Sequence, residues 1–252
     1  MEDLETIELI FVMLLTGLLL GFIGAGGSGF MIAILTVLFD YPIHIAMGTA
    51  LAAMMFTTLS GTVSQIREKN TDIKSGLIVG ITGAIAAWFG TKVAFFIPES
   101  TIVWLTAGML ALSSVALFLK LVLSSDDDRQ LEQNSIKYWS MVILLGIVTG
   151  FLSGTFGIGS TPFIQVGLML LLGLPMRMAA GTSMLIILPI AAAGGAGYFW
   201  AESLDLALLF TVLIGTMSGS YIGAKFTKRA PQKLLKFGMI GTPIVAACLL
   251  VF

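Results

Sequence analysis

The charged residues of this 252-residue chain stand in clusters, and long uncharged tracts separate the clusters. The uncharged tracts cover residues 9–39, 41–66, 75–91, 100–119, 138–176, 178–201, 206–224 and 237–252. A helix that crosses the hydrocarbon core of a bilayer needs about 20 apolar residues, so most of these tracts have room for one crossing. The tracts therefore predict an all-α polytopic membrane protein.

The composition agrees with this prediction and excludes several other classes. Hydrophobic residues make up 57% of the chain and charged residues 11%, whereas soluble domains are nearer 45–50% apolar and about 25% charged. A net charge of -1 gives no basic field for nucleic acid. Cys248 is the single cysteine, so the chain has no internal disulfide and no paired-cysteine metal site. We expect neither an enzyme nor a bound cofactor or metal.

Two tracts are too long for one crossing. Residues 9–39 number 31 and residues 138–176 number 39, which at about 1.5 Å per residue would give straight helices of roughly 46 and 58 Å. Both contain glycine-rich segments, at residues 24–30 and 154–163. Each tract is therefore predicted to be a broken or re-entrant hairpin. The returning arms, residues 30–39 and 163–173, are too short to span, so the hairpin tips should approach the midplane from opposite sides.

The two halves of the chain repeat each other. Residues 24–98 align with residues 157–231 without a gap. The matched residues are Gly24 and Gly157, Gly26 and Gly159, Phe30 and Phe163, Pro42 and Pro175, Gly48-Thr49 and Gly181-Thr182, Gly61 and Gly194, Asp72 and Asp205, Gly90 and Gly223, Lys92 and Lys225, and Pro98 and Pro231. We predict a first transmembrane repeat at 1–123, a hydrophilic linker at 124–136 and a second repeat at 137–252, each with a hairpin followed by three transmembrane helices.

Basic residues indicate that the repeats have opposite orientations. The loop around Asp72 carries three Lys or Arg residues, and its counterpart around Asp205 carries none. The bias is reversed at the next pair of loops, where residues 225–236 are strongly basic. Because Lys and Arg favour cytoplasmic loops, equivalent loops lie on opposite membrane faces, which is typical of an inverted-topology repeat. With the Asp72 loop in the cytoplasm, both termini are predicted outside.

The hairpin tips are the predicted binding site for a small anion. Each returning helix would begin deep in the membrane, where its first N–H groups lack partners and carry partial positive charge. Glycines allow a ligand to approach these amides, and hydroxyl groups add donors. The candidate residues are Gly26, Gly27, Ser28 and Gly29 in the first tip, and Gly157, Gly159, Ser160 and Thr161 in the second. The alternative is that these glycines serve close helix packing.

Four further side chains are candidates for the same cavity. Thr49, Thr182 and Ser183 lie a few residues into the helices that follow the hairpins, and Gln165 lies on the second returning arm. The hydroxyls would either reach the substrate or bond back to their own helices. Gln165 would either donate to the substrate or join neighbouring helices.

The two glycine-rich loops, each followed by a proline and then by Gly48-Thr49 or Gly181-Thr182, resemble the TauE/SafE family of membrane permeases, which is named for sulfite and sulfoacetate export. The chain length, the two repeats and the hydrophilic linker are similar to that family. The second loop departs from the family pattern at residues 160–162, where Ser-Thr-Pro replaces glycine-richer sequence. The resemblance implies a bacterial or archaeal inner-membrane transporter of sulfite, organosulfonates or related anions. The expected partners are the small anion and the lipid bilayer, and a homodimer stays open.

The expected mechanism is export by alternating access. No acidic residue lies deep in an uncharged tract, whereas proton-coupled carriers usually keep an intramembrane carboxylate. Export of an anion from an inside-negative cell is already favourable by about 2.3 kcal/mol per charge per 100 mV. A passive anion channel and a carrier of other small organic anions stay open as alternatives.

Overall fold

The computed structural model describes residues 2–23, 27–123, 135–227 and 232–251, and in these residues the chain forms ten α-helices and no β-strand. The helices are α1 (Glu2–Ile23), α2 (Ser28–Val37), α3 (Ile43–Arg67), α4 (Ile73–Ala94), α5 (Glu99–Leu123), α6 (Ile136–Phe156), α7 (Thr161–Leu171), α8 (Met176–Trp200), α9 (Leu206–Thr227) and α10 (Gln232–Val251). Most of the predicted linker, residues 124–134, lies outside the described residues.

Within the described residues, six helices are long and apolar enough to cross a membrane, namely α3, α4, α5, α6, α8 and α9. The predicted multi-pass, all-α architecture is therefore confirmed at this level. These six are not the three helices expected after each hairpin. They include α6, the long arm of the second hairpin, which has spanning length, and they do not include α10. The uninterrupted apolar part of α10 is shorter and covers Phe237–Val251.

Both long tracts break near the predicted positions. The short helices α2 and α7 have 10 and 11 residues, and they begin at Ser28 and Thr161, two residues before the expected starts. Gly27 is the N-cap residue of α2, and Pro162 stands in the first turn of α7, where a missing N–H breaks no helical hydrogen bond. The long arms α1 and α6 have 22 and 21 residues.

Small residues bring two pairs of parallel helices into backbone contact. Along α1 and α9, added Cβ atoms on Gly215, Gly219 and Gly223 would collide with Ile10, Leu14 and Leu18 respectively. Along α4 and α6, added Cβ atoms on Gly146, Gly150 and Gly154 would collide with Val79, Gly83 and Ala87 respectively. Because apolar side chains gain little by leaving lipid for each other, such close packing is a main source of helix association in membranes.

Helices α3 and α8 cross the bundle side by side and antiparallel. Gly48, near the start of α3, lies against Tyr198 near the end of α8, and Gly61 lies against Met184 near the start of α8. We call the end of the bundle where α3 ends and α4 begins the α3–α4 face, and the opposite end the α4–α5 face. Helices α6 and α8 begin at the α3–α4 face, and α9 ends there.

The short helices lie inside the protein. Ile32 and Leu35 of α2 and Ile164 and Leu168 of α7 have no exposed surface. The outer helices instead present apolar side chains outward. On α4, for example, Ile81, Ile85 and Phe89 each have more than half of their surface exposed. Broken helices at membrane depth require this arrangement, because lipid cannot satisfy the free backbone groups of a helix end.

The aspartates matched between the halves are helix caps. The Asp72 side chain accepts a hydrogen bond from the Ser75 N–H at the start of α4, at 3.2 Å. The Asp205 side chain accepts one from the Ala207 N–H at the start of α9, at 2.8 Å. An N-cap carboxylate satisfies otherwise free helical N–H groups, which accounts for an aspartate at both positions.

Candidate functional site

The N-termini of α2 and α7 meet in the interior of the bundle. An ideal Cβ on Gly159, just before α7, would lie 3.0 Å from the Ser28 Oγ at the start of α2. The same Cβ would contact Met54, which lies near the middle of α3. The two hairpin tips are thus in contact about halfway across the bundle, and the positive ends of both short helices point toward the same region.

The backbone of the second tip requires glycine. Gly157 ends α6 with a φ of 69°, and its N–H donates to the Ser153 carbonyl at 2.9 Å. Gly159 has a φ of 62°, where side chains are disfavoured, and a Cβ there would also collide with Met54. Ser160 has a φ of 47° and is the N-cap residue of α7. A serine in this left-handed conformation is strained, and such strain is typical of functional sites.

Three hydroxyl groups at the tips are buried and have no hydrogen-bond partner in the described residues. They belong to Ser28, Ser160 and Thr161, whose exposed fractions are 0%, 0% and 4%. Neither α2 nor α7 has a side-chain cap. A buried hydroxyl without a partner costs about 1–3 kcal/mol, so three of them at two opposed helix N-termini form a group of donors that lacks an acceptor. A small anion would supply that acceptor.

Two cavities adjoin the tips. The larger has a volume of about 340 Å³, with a lining drawn mainly from α1, α3, α8 and α9. The smaller, of about 30 Å³, lies among α2, α5, α7 and α10. Gly27 and Thr161 line both cavities, so each cavity reaches the tips. Both cavities exceed the roughly 10–15 Å³ that one water molecule requires.

The lining of the larger cavity includes hydroxyl residues that the sequence analysis did not select, Thr57, Thr58, Thr216 and Ser220. Each donates to a carbonyl of its own helix, for example Thr216 to the Val212 carbonyl at 2.7 Å. Hydroxyls of this kind offer lone pairs to the cavity rather than protons. In the described lining of the larger cavity, the hydroxyl without a partner is therefore that of Thr161, at the tips. These four residues could have been noticed in the sequence as hydroxyl residues within apolar tracts. Periodicity alone, however, does not show which face of a helix lines a cavity.

Neither cavity has Asp, Glu, Lys, Arg or His in its described lining. The described part of the chain also holds no cluster of three or more His, Cys, Asp or Glu residues suited to a metal ion. Any charge of a ligand at the tips would thus meet peptide dipoles and hydroxyls rather than a full protein charge.

The predicted site residues divide by position. Gly27, Ser28, Gly29, Gly157, Gly159, Ser160 and Thr161 lie at the tips, and Gly26 lies outside the described residues. Gln165 lines the smaller cavity and Ser183 the larger. The Gln165 Nε2 donates to the Ser183 Oγ at 3.4 Å, so Gln165 joins α7 to α8.

Thr182 and Thr49 line neither cavity. The Thr182 hydroxyl accepts a hydrogen bond from the Asp72 N–H at 2.9 Å, which ties α8 to the start of α4 at the α3–α4 face. This contact gives Thr182 a structural task away from the tips. Thr49 is fully buried, and its hydroxyl has no partner in the described residues.

Comparison with known proteins places the chain in a family. The family described as sulfite exporter TauE/SafE matches residues 9–250, which is nearly the whole chain. The chain belongs to the TauE/SafE family. Together with the six apolar helices, this makes the protein a multi-pass membrane protein of a transporter family. The resemblance expected from the glycine-rich loops is confirmed.

Family relatives are found in bacteria and archaea. A Bacillus subtilis protein named "Probable membrane transporter protein YdhB" is 50% identical over 244 residues, which cover 97% of this chain and 99% of the relative. A second from the same species, "Probable membrane transporter protein YunE", is 29% identical and covers 97% and 96% of the two chains. A Methanocaldococcus jannaschii protein named in the same way is 27% identical, with coverage of 93% and 92%. No solved structure matches the chain.

Proposed function

We propose that the protein transports small sulfur-containing oxyanions, such as sulfite or an organosulfonate, out of a prokaryotic cell through the inner membrane by alternating access. The observation that carries this proposal is the group of three buried hydroxyls without partners, Ser28, Ser160 and Thr161, at two opposed helix N-termini. The family is described by sulfite export, which supports the choice of anion.

The tips suit an anion that must bind and then leave. Two helix N-termini supply a charge of about +0.5 each, together with free N–H groups that point along the helix axes. Hydroxyls replace part of the water shell of an oxyanion by direct hydrogen bonds. The described linings of both cavities contain no fixed cation, which suits a transporter because a tightly held substrate would not be released.

An inverted repeat would place the two tips symmetrically around one substrate. Backbone conformations support the repeat where the residues themselves differ. Asp40 and Gly173 occupy equivalent positions in the two halves and have φ values of 54° and 65°. Lys69 and Glu202, which are equivalent in the same alignment, have φ values of 57° and 55°. An unusual left-handed conformation at matched positions is much more specific than a matched glycine.

Helix packing supports the repeat and its inversion. Gly61 of α3 lies against Met184 of α8, and the equivalent residues of the other half form the counterpart contact, Gly194 against Leu51. The parallel pair of α4 and α6 has its counterpart in α9 and α1, and α3 pairs antiparallel with its own counterpart α8. Equivalent helices that run in opposite directions are expected of repeats related by an axis in the membrane plane.

We keep the division into repeats at 1–123 and 137–252 with a linker at 124–136, and the orientation with both termini outside. The α3–α4 face carries Arg67, Lys69, Lys74, Lys137 and Arg177, which favours the cytoplasmic side for it. Export then follows the membrane potential, and the cavities contain no carboxylate in their described lining that would couple transport to protons.

The proposal is tested with purified protein and four anions: sulfite, sulfoacetate, sulfate and acetate. We expect saturable calorimetric binding of a sulfur anion, and electrogenic transport of that anion by proteoliposomes. Ser28→Ala should weaken binding roughly 10-fold or more, because a hydrogen bond to a charged ligand contributes about 1.5–3 kcal/mol.

The matched control is Ser114→Ala. Ser114 is also fully buried, but its hydroxyl already donates to the Ile240 carbonyl at 3.0 Å, and neither residue is in the described lining of a cavity. This variant should bind the anion like the wild type. Equal affinity of wild type and Ser28→Ala, or failure of all four anions to bind, would overturn the proposal. Steady anion currents without saturation would instead indicate a channel.

A further inference from the structure

The larger cavity lies toward one face of the bundle. Besides residues 17–21 of α1, its walls are residues 54–61 of α3, 183–187 of α8 and 216–221 of α9. Helices α3 and α9 end at the α3–α4 face and α8 begins there, so all three wall segments lie between the tips and that face. Tyr221, toward the end of α9, and Thr161, at the tips, both line the cavity.

The equivalent region in the other half is closed. The alignment of the two halves maps the α9 wall onto residues 83–88 of α4, and the α3 wall onto residues 187–194 of α8. There α4 and α8 pack tightly, since an added Cβ on Gly83 would lie 2.6 Å from Ile190 and one on Gly80 would lie 2.8 Å from Pro189. Ile190 is fully buried, and neither cavity includes a residue of α4 in its described lining.

We propose that the larger cavity is the aqueous access path from the α3–α4 face to the substrate site, and that a second path, closed in this state, runs between α4 and α8 to the α4–α5 face. The inference rests on the inverted repeat of the proposed function. Because the two halves are equivalent in the proposed function, α9 should also be able to pack tightly on α3, as α4 packs on α8. Exchange of the two arrangements closes the present cavity and opens its counterpart.

The hydroxyl residues on the cavity walls fit an access path. Thr58, Thr216 and Ser220 place hydroxyl oxygens on the cavity walls, and their protons are engaged by their own helices. A hydrated anion passes such a wall without a strong contact and meets free donors only at the tips. The exchange also makes a specific contact: Thr57 and Thr216 are equivalent to the touching residues Ile190 and Gly83, so they should approach each other in the opposite state.

Cysteine accessibility tests the proposal without any need for a known substrate. In a Cys248→Ser background, Ser220→Cys on the cavity wall is compared with Ala87→Cys, its repeat equivalent, which is fully buried. A membrane-impermeant thiol reagent is applied to sealed vesicles of both orientations. The exposed loop positions Lys69→Cys and Glu202→Cys identify the α3–α4 and α4–α5 faces.

We expect Ser220→Cys to react only from the face that modifies Lys69→Cys, at least 10 times faster than Ala87→Cys. During transport of the anion, Ala87→Cys should become reactive from the face that modifies Glu202→Cys. Reaction of Ser220→Cys from the opposite face, equal rates at the two positions, or modification only by a lipid-soluble maleimide would overturn the access path. Reaction of Ser220→Cys from the opposite face, or modification only by the lipid-soluble maleimide, would contradict the access path even if the anion bound normally. Failure of the access path can therefore be distinguished from failure of the proposed function.

A double variant, Thr57→Cys with Thr216→Cys, tests the exchange itself. Oxidative cross-linking should be slow at rest, should rise during transport, and should stop transport once formed. Cross-linking that proceeds at the same rate with and without anion transport would contradict the exchange, while the single-cysteine rates show that the protein is folded.

Discussion

Thr161→Val is the substitution that best separates a binding role for the tips from a packing role. Thr161 has 4% of its surface exposed, and its hydroxyl has no partner in the described residues. Valine has the same shape, so the change removes an unsatisfied polar group worth about 1–3 kcal/mol without opening a cavity. The anion-free protein should therefore become more stable, and its melting temperature should rise by about 2–4 °C per kcal/mol.

The same substitution should weaken anion binding. Loss of a hydrogen bond to a charged ligand costs about 1.5–3 kcal/mol, which corresponds to a dissociation constant roughly 10- to 150-fold higher. The assay is a thermal melt of the detergent-purified protein with and without sulfite, combined with calorimetric titration. We expect a higher melting temperature without anion and a smaller shift when the anion is added.

The control for Thr161→Val is Thr149→Val. Thr149 is 2% exposed, but its hydroxyl donates to the Leu145 carbonyl at 2.6 Å, and the residue lines neither cavity. This change should leave anion affinity unchanged and should not raise stability. The reasoning is refuted if Thr161→Val melts below the wild type without anion, or if it binds the anion with wild-type affinity.

Two further substitutions test the packing that positions the tips. Gly150→Ala should destabilise the fold and lower the thermal melting temperature, because its Cβ would collide with the Gly83 backbone. The control, Gly108→Ala, should not lower it, because no atom lies within 4 Å of the added Cβ. Equal melting temperatures of the two variants would contradict this. Thr182→Val should cost about 1–3 kcal/mol, because the Asp72 N–H loses its acceptor, and should leave anion affinity unchanged. A large loss of affinity in stable Thr182→Val protein would instead return this residue to the binding site.

The positions of the short helices were predictable because backbone chemistry fixes them locally. The glycine-rich breaks gave the starts of α2 and α7 to within two residues, since Gly27 and Pro162 act on the chain next to them. The matched aspartates were visible as a pattern, but their role as caps required the observed hydrogen bonds of Asp72 and Asp205.

Contacts between distant helices were not predictable from the same patterns. Thr182 and Ser183 are neighbours on α8, yet one accepts from Asp72 at the α3–α4 face and the other lines the larger cavity. A helix turns by about 100° per residue, so adjacent side chains point to different surroundings. The sequence selects hydroxyls within apolar tracts, and only the helix packing decides which of them meet the substrate, as with Thr216 on α9.

The asymmetry between the halves carries information that the repeat in the sequence does not contain. A repeat predicts two equivalent paths to the tips and cannot say which one is open. Residues 83 and 190 touch on one side, while their counterparts 216 and 57 both line the larger cavity on the other. Two halves of similar sequence in different arrangements are what a carrier with two alternating states requires, whereas a channel would need both paths open together.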